Sequence, residues 1–175
     1  MHSDVLRRAA QVQLAVFDVD GVLTDGRLIL GDDGQEYKAF HSRDGHGLRM
    51  LQDSGIAVAI ITGRTSQVVE KRARELGIEH LYQGRRDKLP ALQELLALLR
   101  LRNEALAYVG DDVIDLPVMR RVGLAVAVGD AHPYVKRHAH WVTDAPGGRG
   151  AAREVCELLM RAHGTLEACL RAYIE

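Results

Sequence analysis

The apolar residues of this chain gather in short unbroken runs. Leu14–Asp18, Ile56–Thr62, Leu106–Gly110 and Leu124–Val128 each carry such a run. Runs of this length that do not alternate with polar residues suit strands buried on both faces of a parallel sheet. His80–Tyr82 and His140–Val142 are shorter strand candidates. Between them lie helical stretches: Asp44–Asp53, stopped by Gly55; Ser66–Leu76, stopped by Gly77; Leu89–Arg100, with Pro90 in its first turn; then Val113–Arg121, His132–His138 and Arg149–His163. Glycine past a helix end and proline inside its first turn are the usual punctuation. Strand–helix alternation of this kind predicts an α/β domain, a parallel sheet with helices on both faces.

One segment departs from the alternation. Arg27–Phe40 shows two strand-like runs around Asp33-Gly34, a strong hairpin signal. It predicts a β-hairpin inserted after the first strand. Leu28, Leu30, Tyr37 and Phe40 give it more apolar surface than a free hairpin should expose.

Composition narrows the function classes. The 175 residues fit one domain spanning 1–175, with a C-terminal helical segment over about 149–175. With 23 basic against 24 acidic residues and a net charge of −1, there is no basic excess for nucleic acid. No apolar run approaches the ~18 residues of a membrane span, and Arg7-Arg8 is followed by no apolar core of a signal peptide. Cys156 and Cys169 stand thirteen apart without metal-ligand spacing, as buried thiols of a reducing compartment do. The expectation is a cytoplasmic protein with no membrane partner.

Candidate chemistry concentrates at the strand ends. Asp18-Val-Asp20-Gly21 closes the first strand, where open α/β sheets bind ligands. One carboxylate of such a pair can act as nucleophile and the other as general acid and base, while Gly21 permits the turn and exposes N–H groups to an anion. Thr62-Gly63-Arg64 closes the second strong strand, with a hydroxyl and an N–H suited to a phosphoryl oxygen. Gly110-Asp111-Asp112 closes the third, with Asp115 one turn later, a set of oxygen ligands for a hard cation such as Mg2+. Asp112 also fits a helix N-cap. Lys88, one of four lysines, begins a helix and can offset the charge of this acidic group. His41, His46 and His132 fit surface or capping roles.

The order Asp–Thr–Lys–Asp resembles the haloacid dehalogenase superfamily of phosphohydrolases across residues 13–145. That resemblance implies a Rossmann-like, doubly wound fold and an aspartyl-phosphate intermediate on Asp18. It implies Mg2+ held by Asp18, the Asp20 carbonyl and Asp111, with Asp115 beside it, and Asp20 as acid and base. Closer similarity is to the subfamily acting on 3-deoxy-D-manno-octulosonate 8-phosphate in lipopolysaccharide synthesis. It is carried by Asp20–Asp25, Phe40, Arg43-Asp44-Gly45, Ile61–Arg64, Leu81–Gly84, Tyr108–Asp112, Asp130–Pro133 and Gly147–Glu154. Arg85-Arg86-Asp87 departs from it with unusual charge.

Spacing leaves no room for a cap domain: 44 positions separate Asp18 from Thr62 and 26 separate Thr62 from Lys88, already filled by the predicted elements. An uncovered acyl-phosphate needs a wall from elsewhere. The subfamily implies a homotetramer with central hairpins and a C-terminal segment reaching a neighbour. Arg64, Arg72 and Arg149 are the candidates for the anionic sugar-phosphate substrate, Arg64 and Arg72 being placed on one helix. The competing readings are a phosphatase of a nine-carbon keto-acid phosphate, whose relatives carry Glu in place of Arg64, and a receiver-like phospho-acceptor module. The motif order argues against the receiver, whose acidic pair and acceptor aspartate stand the other way round.

Overall fold

The computed structural model describes residues 3–174. Six parallel strands form the main sheet: β1 (Leu14–Phe17), β4 (Ala57–Ile61), β5 (His80–Tyr82), β6 (Leu106–Gly110), β7 (Leu124–Ala127) and β8 (Trp141–Val142). Their spatial order is β5-β4-β1-β6-β7-β8, so the sheet grows in one direction from β1 and then in the other. The reversal makes a crevice at the carboxyl ends of β1 and β6. β1, β6 and β7 are buried along their whole length, which is why they read as continuous apolar runs.

Helices cover both faces, as the alternation predicts. α2 (Ser42–Asp53) packs against α7 (Ala151–Ala162), which also touches α1 (Ser3–Ala9). α3 (Gln67–Glu75) joins that layer, with Arg72 and Leu76 against Gly45 of α2. The opposite layer holds α4 (Lys88–Leu99), α5 (Leu116–Met119) and α6 (Pro133–Lys136). α8 (Leu166–Arg171) follows α7 after Gly164. The sequence pattern did not single out α1.

Three local expectations change. Val113–Arg121 is not one helix. A 3₁₀ turn at Val113–Asp115 precedes α5, because Asp112 and Asp115 close a capping box and Pro117 offers no N–H to continue a longer helix. The hairpin strands β2 (Ile29–Leu30) and β3 (Glu36–Tyr37) are shorter than Arg27–Phe40 and pair as a separate sheet, Ile29 with Tyr37 and Leu30 with Glu36. Asp33-Gly34 sits inside a longer turn, in which Asp33 accepts from Gln35 N and Gly31 N donates to Gln35 O. Phe40 is not part of the exposed hairpin surface: it packs against the core, with the Arg72 guanidinium over its ring. Leu28, Ile29, Leu30 and Tyr37 are about half exposed or more.

Apart from this hairpin, no excursion from the α/β layers occurs among the described residues, so no cap domain covers the crevice. His41 and His132 cap α2 and α6 as expected, each ring accepting a backbone N–H two residues on.

Candidate active site

The floor of the crevice is built from two strand ends and one helix start. Asp18 follows β1, and its Oδ1 accepts from Val19 N at 2.7 Å, which fixes the rotamer toward the crevice. Asp111 follows β6. Lys88 opens α4, where Asp87 caps the helix by accepting from Leu89 N. The Lys88 ammonium lies 2.7 Å from Asp18 Oδ2 and 2.6 Å from Asp115 Oδ1. Asp115 is fully buried: its Oδ1 also accepts from Tyr108 OH at 2.7 Å, and its Oδ2 from Asp111 N at 3.0 Å and Asp112 N at 3.3 Å. Four donors on one carboxylate tie Lys88, β6 and the following loop into one rigid piece.

Asp18, Asp111 and Asp115 each offer a carboxylate oxygen, all within 4.8 Å of one another. Among the described residues Lys88 is the one cation at their centre, so the group carries an excess of negative charge. Burial, with the neighbouring carboxylates, lifts Asp111 to about 8. Burial also lifts Asp18 to about 6, against the pull of Lys88. Burial would depress Lys88, but Asp18 and Asp115 outweigh it and hold the ammonium above its ordinary value.

Gly21 makes this geometry possible. Its φ of +88° suits only glycine, and a Cβ there would collide with the Asp111 carboxylate. Behind it, Gly147 packs so tightly that a Cβ would strike Gly21 O, and Gly148 N donates to Val22 O at 2.8 Å. Gly147 N is held in turn by Asp130 Oδ1 at 2.8 Å.

The other sequence candidates fall around this floor. Thr62 is buried at the end of β4, its N–H bonded to Tyr82 O at 2.9 Å, and a Cβ on the adjacent Gly63 would come into ordinary contact with Arg86 Cα at 3.9 Å. Arg64 lies in the loop before α3, not on it, because Ser66 is the N-cap; it therefore does not share a helix with Arg72. Its Nη2 lies 3.0 Å from Glu36 Oε1 and its Nε 3.8 Å from Asp20 Oδ2. Arg72 lies apart from the carboxylate floor, beside Phe40 and within reach of Glu75 at 3.4 Å. Arg149 is exposed and lies 3.9 Å from Asp25 of its own chain. The Gly147–Glu154 segment packs on its own chain, with Gly147 against Gly21 and the Glu154 carboxylate accepting from Asp144 N and Ala145 N. Arg85 pairs with Glu94 over the Tyr82 ring, away from Lys88's buried end.

Two further residues of the neighbourhood had no contact assigned to them from the sequence. Lys38 reaches from the hairpin root to Asp20 Oδ1. Buried Asp44 accepts from Gly150 N at 3.1 Å and Arg153 N at 2.9 Å, capping α7, whose own N-cap Gly150 has no side chain to do so.

Buried aspartates gathered around one ammonium, at the carboxyl edge of an open parallel sheet, define a hydrolase that works through strand-end carboxylates. The sequence profile of the haloacid dehalogenase-like hydrolases matches residues 77–154. The chain is 56% identical over 164 residues, 94% of its length and 88% of the relative's, to 3-deoxy-D-manno-octulosonate 8-phosphate phosphatase of Yersinia pestis. A probable yrbi family phosphatase from Pseudomonas syringae superposes with a TM-score of 0.98 at 56% identity, covering 99% of both chains. The 3-deoxy-D-manno-octulosonate 8-phosphate phosphatase of Moraxella catarrhalis, solved with magnesium ion, phosphate ion and a KDO molecule, superposes with a TM-score of 0.97 at 40% identity, covering 99% of both chains. The chain belongs to the haloacid dehalogenase-like hydrolase family.

Proposed function

We infer that the protein is a magnesium-dependent phosphatase that hydrolyses 3-deoxy-D-manno-octulosonate 8-phosphate to the free sugar acid and phosphate, in lipopolysaccharide precursor synthesis. The observation that carries this reading is 56% identity to the Yersinia phosphatase over 94% of the chain. Arg64 favours it over the nine-carbon reading, since a cation at the crevice mouth suits a substrate carboxylate.

The donor set fits a hard divalent cation: three carboxylates within ligand reach, with only Lys88 of the described residues among them as a cation, carry uncompensated charge. Asp18, Asp111 and the Asp20 carbonyl are the groups that would hold Mg2+. Asp115, already shared by four donors, orients them rather than leading the set. When bound, the ion neutralises charge on the phosphoryl oxygens.

The chain's own residues then divide the work. An Asp18 oxygen attacks phosphorus as the bond to the sugar oxygen breaks, and Asp20 gives that oxygen its proton. Asp20, now ionised, takes a proton from water, whose oxygen attacks the aspartyl phosphate and frees Asp18 and inorganic phosphate. Lys88 fixes Asp18, and the Thr62 hydroxyl with the Gly21 and Gly63 N–H groups cradles the phosphoryl oxygens. Arg64 meets the substrate carboxylate, and Arg72 and Arg149 add cationic surface beyond it. The protein is cytoplasmic and works as a homo-oligomer, a tetramer joined through the exposed hairpins.

Hydrolysis of the octulosonate phosphate with and without EDTA tests the reading, alongside p-nitrophenyl phosphate. Turnover should vanish in chelator and in Asp18→Asn. Arg64→Ala should raise KM for the sugar phosphate about 10- to 150-fold, the worth of a charge-assisted contact. The aryl ester should stay within about twofold on the same reasoning. Turnover in chelator, or equal losses on both esters, would contradict the metal and the Arg64 assignment respectively.

A further inference from the structure

Lys38 is out of place for a hairpin lysine. It stands one residue past β3, in a segment whose neighbouring apolar residues face solvent, yet its side chain is only 1% exposed. A hidden ammonium needs anionic partners. It has two: Asp20 Oδ1, and Glu36 Oε1 at 3.2 Å. Glu36 Oε1 also receives Arg64 Nη2 at 3.0 Å, and Arg64 Nε approaches Asp20 Oδ2 at 3.8 Å. The four groups form a closed ring of two acids and two bases at the crevice mouth. Arg64 is 46% exposed and too far from Asp20 for a hydrogen bond, so Lys38 is the ring member that restrains the Asp20 carboxylate.

We propose that Lys38 is the positioning residue for Asp20. Asp20 sits on the turning loop after β1 and serves two steps with one carboxylate, first toward the leaving oxygen and then toward water. Each step needs the same oxygen in the same place. Holding Oδ1 from the hairpin side leaves Oδ2, with Arg64 Nε at 3.8 Å, for the proton transfers, and a shift of about 1 Å in such a group costs on the order of 100-fold in rate. Lys38 touches neither phosphate nor metal in this role; it acts through Asp20. The hairpin thus contributes to catalysis as well as to assembly.

The inference rests on Asp20 as the acid–base group, and a double-mutant cycle on sugar phosphate hydrolysis separates the two claims. Lys38→Met should lower kcat roughly 10- to 100-fold with KM within about twofold, the signature of lost orientation rather than lost binding. Lys38→Arg, which keeps the cation, should recover most of that loss. In the Asp20→Asn background, Lys38→Met should cost less than about twofold more. An unchanged kcat, a loss confined to KM, or the full loss repeated in the Asp20→Asn background would overturn the role of Lys38. Wild-type activity in Asp20→Asn alone would instead overturn the acid–base reading. Circular dichroism checks folding, and Lys38→Gln carries the same cycle if the methionine variant does not fold.

Discussion

At the residue scale the site is a problem in crowded charge. Asp111 and Asp18 are lifted, to about 8 and about 6, from an ordinary value of 3.8. Both are raised in the folded state, so between about pH 4 and 8 the fold keeps protons that the unfolded chain has released. The stability they contribute is complete below about pH 4 and is lost as pH rises through their folded values. A divalent cation binds the deprotonated carboxylates and stabilises the fold by mass action. The gain in Tm from Mg2+ should therefore be larger at about pH 8.5 than at about pH 5.5. Thermal scans with and without EDTA check this, and an equal gain at both pH values would take Asp111 out of the metal site. The strand-end carboxylates were legible in the sequence because each ends an apolar run. Lys38 was not, because a lysine between Tyr37 and Ala39 in a hairpin reads as solvated; its being one of only four lysines was the signal available.

At the element scale, strands were easier to read than the contacts between helices. β1, β4, β6 and β7 need no partner to be recognised, since burial on both faces writes itself as uninterrupted apolar residues. The Asp44 cap on α7 had no local signature: its acceptor and donor lie 106 positions apart in the chain. Asp44→Ala would strip a buried carboxylate from two backbone N–H groups and leave them unsatisfied. The expected loss is about 2 kcal/mol, or roughly 4–8 °C in Tm for a chain of this size. Denaturant and thermal unfolding measure it, and a change under about 0.5 kcal/mol, the level of an ordinary surface substitution, would show that α7 does not depend on the cap. Arg64 illustrates the opposite error. The sequence reading places it on the helix of Arg72 although that helix is itself read as starting at Ser66, and in the structure Ser66 is the N-cap.

At the scale of the whole molecule the crevice is open, as the short spacings between motifs imply. The hairpin bears Leu28, Ile29, Leu30 and Tyr37 on its exposed surface, with relative exposures of 48–64%. A two-stranded hairpin is marginal alone, and packing several together would bury this surface and cover its edges. Leu28→Glu with Leu30→Glu should shift the light-scattering mass from oligomer to folded monomer, with a fall in kcat/KM for the sugar phosphate. A folded monomer with unchanged kcat/KM would separate assembly from the site.

The contact of Gly147 on Gly21 joins positions 126 residues apart in the chain. During synthesis the motif bearing Asp18 and Asp20 leaves the ribosome before its backing, which follows 126 residues later. At about 5–20 residues per second that delay is roughly 6–25 s. For this interval the nascent chain carries the Asp18–Gly21 loop without the packing of Gly147 behind it. The support for this loop therefore waits at least on the synthesis of the intervening residues, however fast β1 itself folds.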